Sequence, residues 1–257
     1  MSKLINKYNV CIKFNAMLSY SNSSWTAEWV ENVLINLIEI FRKKFIRVDI
    51  ITASPLLAQS VEKNIDLKEI RLYKIWRSLW SPKYCVVLPE KVNMYTKILL
   101  TKLFIKSKSY LNKPYSLTRQ KIIVHYVQPH APYLILPQLC KLFDEFLHFR
   151  QSIPKERYIL KYILDRLSYE DVALTYVKNK RILKYLYKQN YKKALKAILS
   201  LIAFISKNIN KYHDFIIMIT ADHGELLGEY GLYFHPNIKL YPLRIVPVLV
   251  IKIKKNR

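Results

Sequence analysis

The chain has 257 residues, long enough for one large α/β domain, and its 51% hydrophobic and 13% aromatic content excludes a disordered chain. The net charge of +25 asks for an anionic partner, which a nucleic acid, a membrane surface, or a phosphorylated or sulfated small molecule would each supply. Lys, Ile, Asn and Tyr abound together while glycine is scarce, so part of the charge reflects composition and no specific nucleic-acid partner is expected.

The opening stretch "MSKLINKYNVCIKF" lacks the apolar core and small-residue cleavage site of a secretory leader. The longest apolar run, "AILSLIAFI" at 197–205, is too short to span a bilayer. Cys11, Cys85 and Cys140 are odd in number and widely spaced, which reads as a reduced, cytoplasmic protein with no transmembrane segment.

"SSWTAEWVENVLINLIEIFRKKF" predicts a helix entered at Ser23–Thr26, with Trp29, Val33, Leu37 and Ile40 as its apolar stripe. "RVDIITAS" (47–54) predicts a β-branched strand ending before Pro55. "IRLYKIWRSLW" (70–80) reads as helix, with Pro82 and Pro89 marking loops. "KIIVHYVQPHAPY" (121–133) starts as a buried strand, stops at Pro129 and delivers His130 just beyond its carboxyl end, while His125 inside it reads as a core residue. Irregular helix and loop follow over 138–168, then a long helix over about 169–207.

That helix carries Lys180, Lys184, Lys188, Lys192 and Lys196. Four-residue steps drift by roughly 40° on a helix of 3.6 residues per turn, so the ladder reads as a solvated face or an anion-attracting one. "DFIIMIT" (214–220) predicts a second buried strand, with Asp222 and His223 directly after it. "RIVPVLVIKI" (244–253) predicts a last strand with Pro247 at an edge or bulge. No repeat or low-complexity linker divides the chain, so residues 1–257 read as one domain.

All three glycines, Gly224, Gly228 and Gly231, fall within eight positions of "ITADHGELLGEYGLYFHP" (219–236). Glycine is kept where a backbone needs positive φ or a close approach, so this cluster beside Asp222, His223 and His235 suggests a built site. In open α/β sheets ligands bind beyond the carboxyl ends of strands, where both His130 and the Asp222–His223 pair fall. One carboxylate and up to three imidazoles suit zinc or manganese better than calcium, with calcium or magnesium still possible as the divalent ion.

"TADHGELLGEYGLYFHP" resembles the C-terminal signature of the alkaline-phosphatase superfamily, in its sulfatase-like branch that includes lipid phosphoethanolamine transferases. "VHYVQPHAPY" is similar to a second segment of that family. The resemblance implies a three-layer αβα sandwich on a mostly parallel sheet and a metal-dependent hydrolase or transferase of a phosphate or sulfate ester. It implies that Asp222 and His223 ligate the metal and that His235 and His130 contact the anionic group. It places the hydroxyl nucleophile in "SNSSWTAEW", at Thr26, with Ser24 and Ser23 as rivals. The substrate implied is an anionic small molecule or a lipid or glycan ester.

Two departures from the family pattern shape the expectation. No Cys stands in the C-x-P-x-R setting of true sulfatases, which favours phosphoryl over sulfuryl transfer. No Asp or Glu precedes Ser23, so the acidic metal ligand that the family carries on its first strand is missing, as if the chain were truncated at its N-terminus. A poor catalyst that still binds anions is therefore the alternative to an active enzyme, and a basic nucleic-acid binder is a further one.

Overall fold

The computed structural model describes residues 12–21, 23, 26–44, 46–68, 70–109, 120–129, 134, 136–154, 157, 180–209, 214–234 and 238–253. Among them, strands and helices alternate in an α/β arrangement around two three-stranded sheets.

The first sheet is parallel. Its central strand β2 (Arg47–Thr52) lies between β3 (Ile70–Lys74) and β6 (Gln120–His125), with Ile50 opposite both Leu72 and Ile123. From Val48 onward β2 is buried without interruption, because helices cover both its faces. On one face Val48 and Ile50 pack against Val30, Leu34 and Ile38 of helix α1 and against Leu57 and Val61 of α2 (Pro55–Asn64). Helix α1 runs continuously through Thr26–Trp29, a π turn at Val30–Leu34, and Ile35–Lys43. On the other face Ile51 packs with Ile75, Val87 and Val92. These come from the segment of α3 (Trp76–Leu79), β4 (Trp80–Ser81) and β5 (Val86–Val87), and from the start of α4 (Pro89–Ser109).

The second sheet is antiparallel, in the order β1 (Ile12–Tyr20), β10 (Ile245–Ile253), β7 (Phe215–Thr220). Since β1 and β7 both run against β10, they point the same way and end at the same edge. One side of this sheet is sealed by Leu201, Ile202 and Ile205 of α6 (Lys180–Asn208) and Leu100 of α4, packed on Ile251 and Ile253. Helix α5 (Gln138–Ser152), α7 (Tyr241–Arg244) and a small pair, β8 (Leu226–Leu227) with β9 (Tyr233–Phe234) joined through a 3₁₀ turn at Glu229–Gly231, complete the described elements.

Several sequence expectations are corrected. Residues 70–74 form a strand, since β2 offers an unpaired edge and Ile70, Leu72 and Lys74 find parallel partners along it; only 76–79 are helical. Pro89 opens α4, at a helix start where its missing N–H costs nothing. The buried stripe of α1 is Ala27, Val30, Leu34 and Ile38, one step round from the predicted one, which leaves Ile40 half exposed. Strand β7 is half-buried on one face, through Phe215, Ile217 and Ile219, with Ile216 and Met218 exposed on the other. The described strands divide among one parallel three-stranded sheet, one antiparallel three-stranded sheet and two antiparallel pairs, so they do not form one mostly parallel sheet. Pro247 pairs with Leu18 of β1 but lies beyond the last β7 pair at Val248, where β10 needs no second donor.

The cysteines require a further correction. Cys85 and Cys140 form a disulfide across 55 residues, joining the β4–β5 segment to α5. Cys85 and Cys140 are therefore not free thiols and do not mark a reducing compartment; Cys11 lies outside the described residues. No described helix is long and apolar enough to cross a membrane. Lys184, Lys188, Lys192 and Lys196 are all exposed, as a solvated face requires; Lys184 reaches Glu229 at 3.7 Å.

Candidate functional site

Strands β1 and β7 end at the same edge of the sheet, on either side of β10, and the chain beyond each end is stitched to the other. The Ser21 hydroxyl donates to the Asp222 carbonyl at 2.6 Å, and Ser21 N donates to Arg244 O at 2.6 Å. Arg244 Nε returns a bond to Ser21 O at 3.1 Å. From the opposite side, Gly224 N donates to Leu243 O at 2.6 Å. A Cβ on Gly224 would stand 2.1 Å from the Pro242 carbonyl oxygen, so only glycine lets the Asp-His-Gly turn lie this close to α7, just before β10. Gly228 and Gly231 have φ of 103° and 71°, left-handed conformations that carry the chain round into β9.

This stitching brings three candidate side chains together. Thr26, in the first turn of α1, donates from Oγ1 to Asp222 Oδ2 at 2.8 Å and lies 3.4 Å from His223 Nε2. Asp222 Oδ2 and His223 Nε2 are 3.5 Å apart. The Asp222 side chain is 14% exposed and that of His223 is buried. Asp222 Oδ1 accepts from His223 N at 3.1 Å, which orients the carboxylate. His223 Nδ1 sits 2.8 Å from Gly224 O, a contact that requires the proton on Nδ1 and leaves Nε2 to face Thr26 and Asp222.

The arrangement fits a divalent cation. Bonds of about 2.0–2.2 Å to neighbouring oxygen and nitrogen ligands put those ligands roughly 3 Å apart, as these three atoms are. In the neutral ring the Nε2 lone pair faces a carboxylate oxygen, an arrangement that a cation between them stabilises; the protonated ring instead pairs directly with Asp222 at 3.5 Å. The Nδ1–H to carbonyl bond is also the usual way a protein fixes the ring of a metal-binding histidine. Another close group of metal-type side chains, Cys85, Cys140 and Asp144, offers no thiolate because its two sulfurs are bonded to each other.

The other candidates separate. Ser23 is fully buried, and its hydroxyl has no partner among the described residues; Thr26 is half-buried and touches Asp222. Ser24, His130 and His235 lie outside the described residues. His125 is half-buried at the end of β6, with Nδ1 3.3 Å from Thr52 Oγ1, a neighbour on the adjacent strand. A surface hollow lined by Pro82, Lys83, Pro137, Gln138, Lys141 and Asp144 lies beside the disulfide and includes none of the candidates.

Helix α6 contributes residues that sequence reading passed over. Burial pushes the Tyr187 phenol well above its usual range, and the negative charges of Glu225 and Asp222 add to the rise, which puts Tyr187 within electrostatic reach of the site. Asn190 is fully buried; its Oδ1 accepts from Leu134 N at 2.9 Å and its Nδ2 donates to Pro129 O at 3.3 Å. The available signal was an asparagine in the apolar stripe Leu183, Leu186, Asn190, Ala194, Ala197, a position that asks what it bonds. Compared with known proteins, the chain matches no family model and no curated protein.

Proposed function

We propose that this protein is a metal-dependent hydrolase or transferase of phosphate esters, built on a three-layer αβα scaffold, with Thr26 as nucleophile. The observation that carries the reading is the meeting of Thr26 Oγ1, Asp222 Oδ2 and His223 Nε2 within 2.8–3.5 Å, from segments 196 and 197 residues apart. That meeting joins a hydroxyl to the Asp-His pair whose surroundings resemble the sulfatase-like signature.

Asp222 and His223 would hold the ion, zinc or manganese in preference to calcium. When bound, the ion supplies positive charge that favours the alkoxide and the phosphoryl oxygens. The chain's own residues do the rest. The hydroxyl proton of Thr26 points at Asp222 Oδ2, which leaves the Oγ1 lone pairs free to meet phosphorus. As the Oγ1–P bond forms, the ester P–O bond breaks, the Thr26 proton passes to the carboxylate, and the departing oxygen takes a proton from His130 or His235 to leave as the alcohol. Water or a second alcohol then takes the phosphoryl group from Thr26, giving hydrolysis or transfer. The start of α1 adds backbone N–H groups and positive potential for the incoming anion. His130 and His235 would bind or protonate ester oxygens. Sulfate esters are the less favoured substrate, because no cysteine has a sulfatase setting.

A second reading, an anion-binding relative with little catalysis, is favoured by one observation. The described positions following β1 are Ser21 and Ser23, with no carboxylate to complete the ligand set. Phosphate binding paired with p-nitrophenyl phosphate turnover decides between the two. Turnover abolished by Thr26→Ala supports the enzyme; binding without turnover supports the relic. Neither activity nor phosphate binding would remove both.

A further inference from the structure

We propose that Gln128 is a ligand-contacting residue of this site, reading the alcohol half of a phosphate ester that carries a hydrogen-bond donor; the inference rests on the reading above. Gln128 follows β6 at the carboxyl edge of the parallel sheet and is 5% exposed. Neither Oε1 nor Nε2 has a hydrogen-bond partner among the described residues. A buried primary amide with both halves unpaired is costly to the fold, and a position serving packing alone would hold Leu or Met.

The neighbouring residue is firmly placed. Pro129 O is held by Asn190 Nδ2 and Leu134 N by Asn190 Oδ1, while Lys193 Nζ donates to Leu134 O at 3.4 Å. Tyr187 precedes Asn190 by three residues, about 4.5 Å along the helix axis. Lys184, six residues before Asn190, reaches Glu229 at 3.7 Å, so the segment of α6 that grips the end of β6 also borders the glycine loop. Helix α1 leads into the start of β2 and packs back along it, so its first turn, with Thr26, lies at the carboxyl edge of the parallel sheet, the edge from which Gln128 departs.

The chemistry of an amide narrows the ligand. Nε2 can donate to a phosphoryl or ester oxygen, but Oε1 can only accept. An ionised phosphate offers it nothing, whereas a hydroxyl or ammonium group on the esterified alcohol does. The ligand class is therefore a phosphate monoester or diester with such a group near the phosphorus.

The test compares wild-type protein with Gln128→Leu in the presence of zinc. Calorimetry measures binding of β-glycerophosphate, whose alcohol carries hydroxyls, of phenyl phosphate, whose alcohol carries none, and of inorganic phosphate. The variant is expected to lose about three- to tenfold in affinity for β-glycerophosphate, the worth of one or two hydrogen bonds. Phenyl phosphate and inorganic phosphate stay within about twofold, and the melting temperature rises as an unpaired amide leaves the interior. Equal affinities for β-glycerophosphate, a parallel loss for all three probes, or a fall in melting temperature would each overturn the proposal. Gln128→Met repeats the test with a more adaptable side chain if the Leu variant does not fold. Absence of zinc and phosphate binding in the wild type sinks the underlying reading and this inference with it, an outcome visible before any variant is made.

Discussion

Gly224→Ala should be far more damaging than a single methyl suggests. The new Cβ would lie 2.1 Å from Pro242 O and 3.1 Å from Pro242 C, where ordinary contact begins at 3.4 Å. Both obstacles are backbone, so no rotamer change relieves them. The turn must retreat by roughly an ångström, and such overpacking costs about 1–3 kcal/mol. Retreat also stretches the 2.6 Å bond from Gly224 N to Leu243 O, worth about another 1 kcal/mol. A total of about 2–4 kcal/mol corresponds to a drop of about 5–15 °C in melting temperature for a chain of this size. The assay is urea and thermal unfolding followed by circular dichroism, with zinc binding measured on the folded fraction. Zinc affinity should fall too, since Asp222 and His223 move with the turn. Gly231→Ala is the control: its φ of 71° carries strain of about 1–2 kcal/mol, but no atom crowds the added methyl and zinc binding should be kept. A Gly224→Ala variant within about 0.5 kcal/mol of wild type, binding zinc normally, would refute the close approach as the reason for this glycine.

Other outcomes follow from parts of the molecule away from the site. Reducing the Cys85–Cys140 bond, or replacing Cys140 by Ser, should lower stability by about 4 kcal/mol on the chain-entropy model for a 55-residue separation; superimposable urea curves with and without reductant would contradict the pairing. Asp49 is fully buried on β2, accepting from Tyr73 and Gln120, and desolvation holds its pKa above the ordinary 3.8 despite those bonds. Its folded pKa being raised, the stability it contributes is complete below pH 3.8 and is lost as pH rises through the folded value. Asp49→Asn should therefore gain on wild type as pH climbs above the ordinary carboxylate value of 3.8, and a pH-independent difference would contradict this.

Much of the scaffold was legible where burial is strong enough to write itself into local sequence. Strand β10 is a nearly continuous apolar run, β2 and β6 carry β-branched stretches at Ile50–Ile51 and Ile122–Val124, and α6 keeps a helical stripe from Leu183 to Ile205. Strand β1 was not legible: "IKFNAMLSY" carries Asn and Lys, and its described side chains stay largely exposed, so only the edge of β10 makes it a strand. Strand β3 was misread because the parallel edge of β2, not its own pattern, decides its conformation. The candidate site was legible in part. Glycine scarcity made the 224–231 cluster conspicuous, and strand-end reasoning found Asp222 and His223. What no local pattern carries is the antiparallel order β1–β10–β7, which brings the ends of β1 and β7 to one edge of the sheet and Thr26 against Asp222. Asn190 and Gln128 were passed over because their meaning depends on what surrounds them, and one buried amide in an apolar stripe looks like any other.

The central claim is that Thr26, Asp222 and His223 form one cation-dependent anion site, and zinc titration tests it most directly. Equilibrium dialysis against zinc, with and without inorganic phosphate, should be run on wild type, Asp222→Ala and Thr26→Val. The account predicts one wild-type zinc site that phosphate tightens, a loss of at least about tenfold in zinc affinity for Asp222→Ala, as removal of a charged ligand requires, and a smaller loss for Thr26→Val. Zinc binding of equal strength in wild type and Asp222→Ala would contradict it.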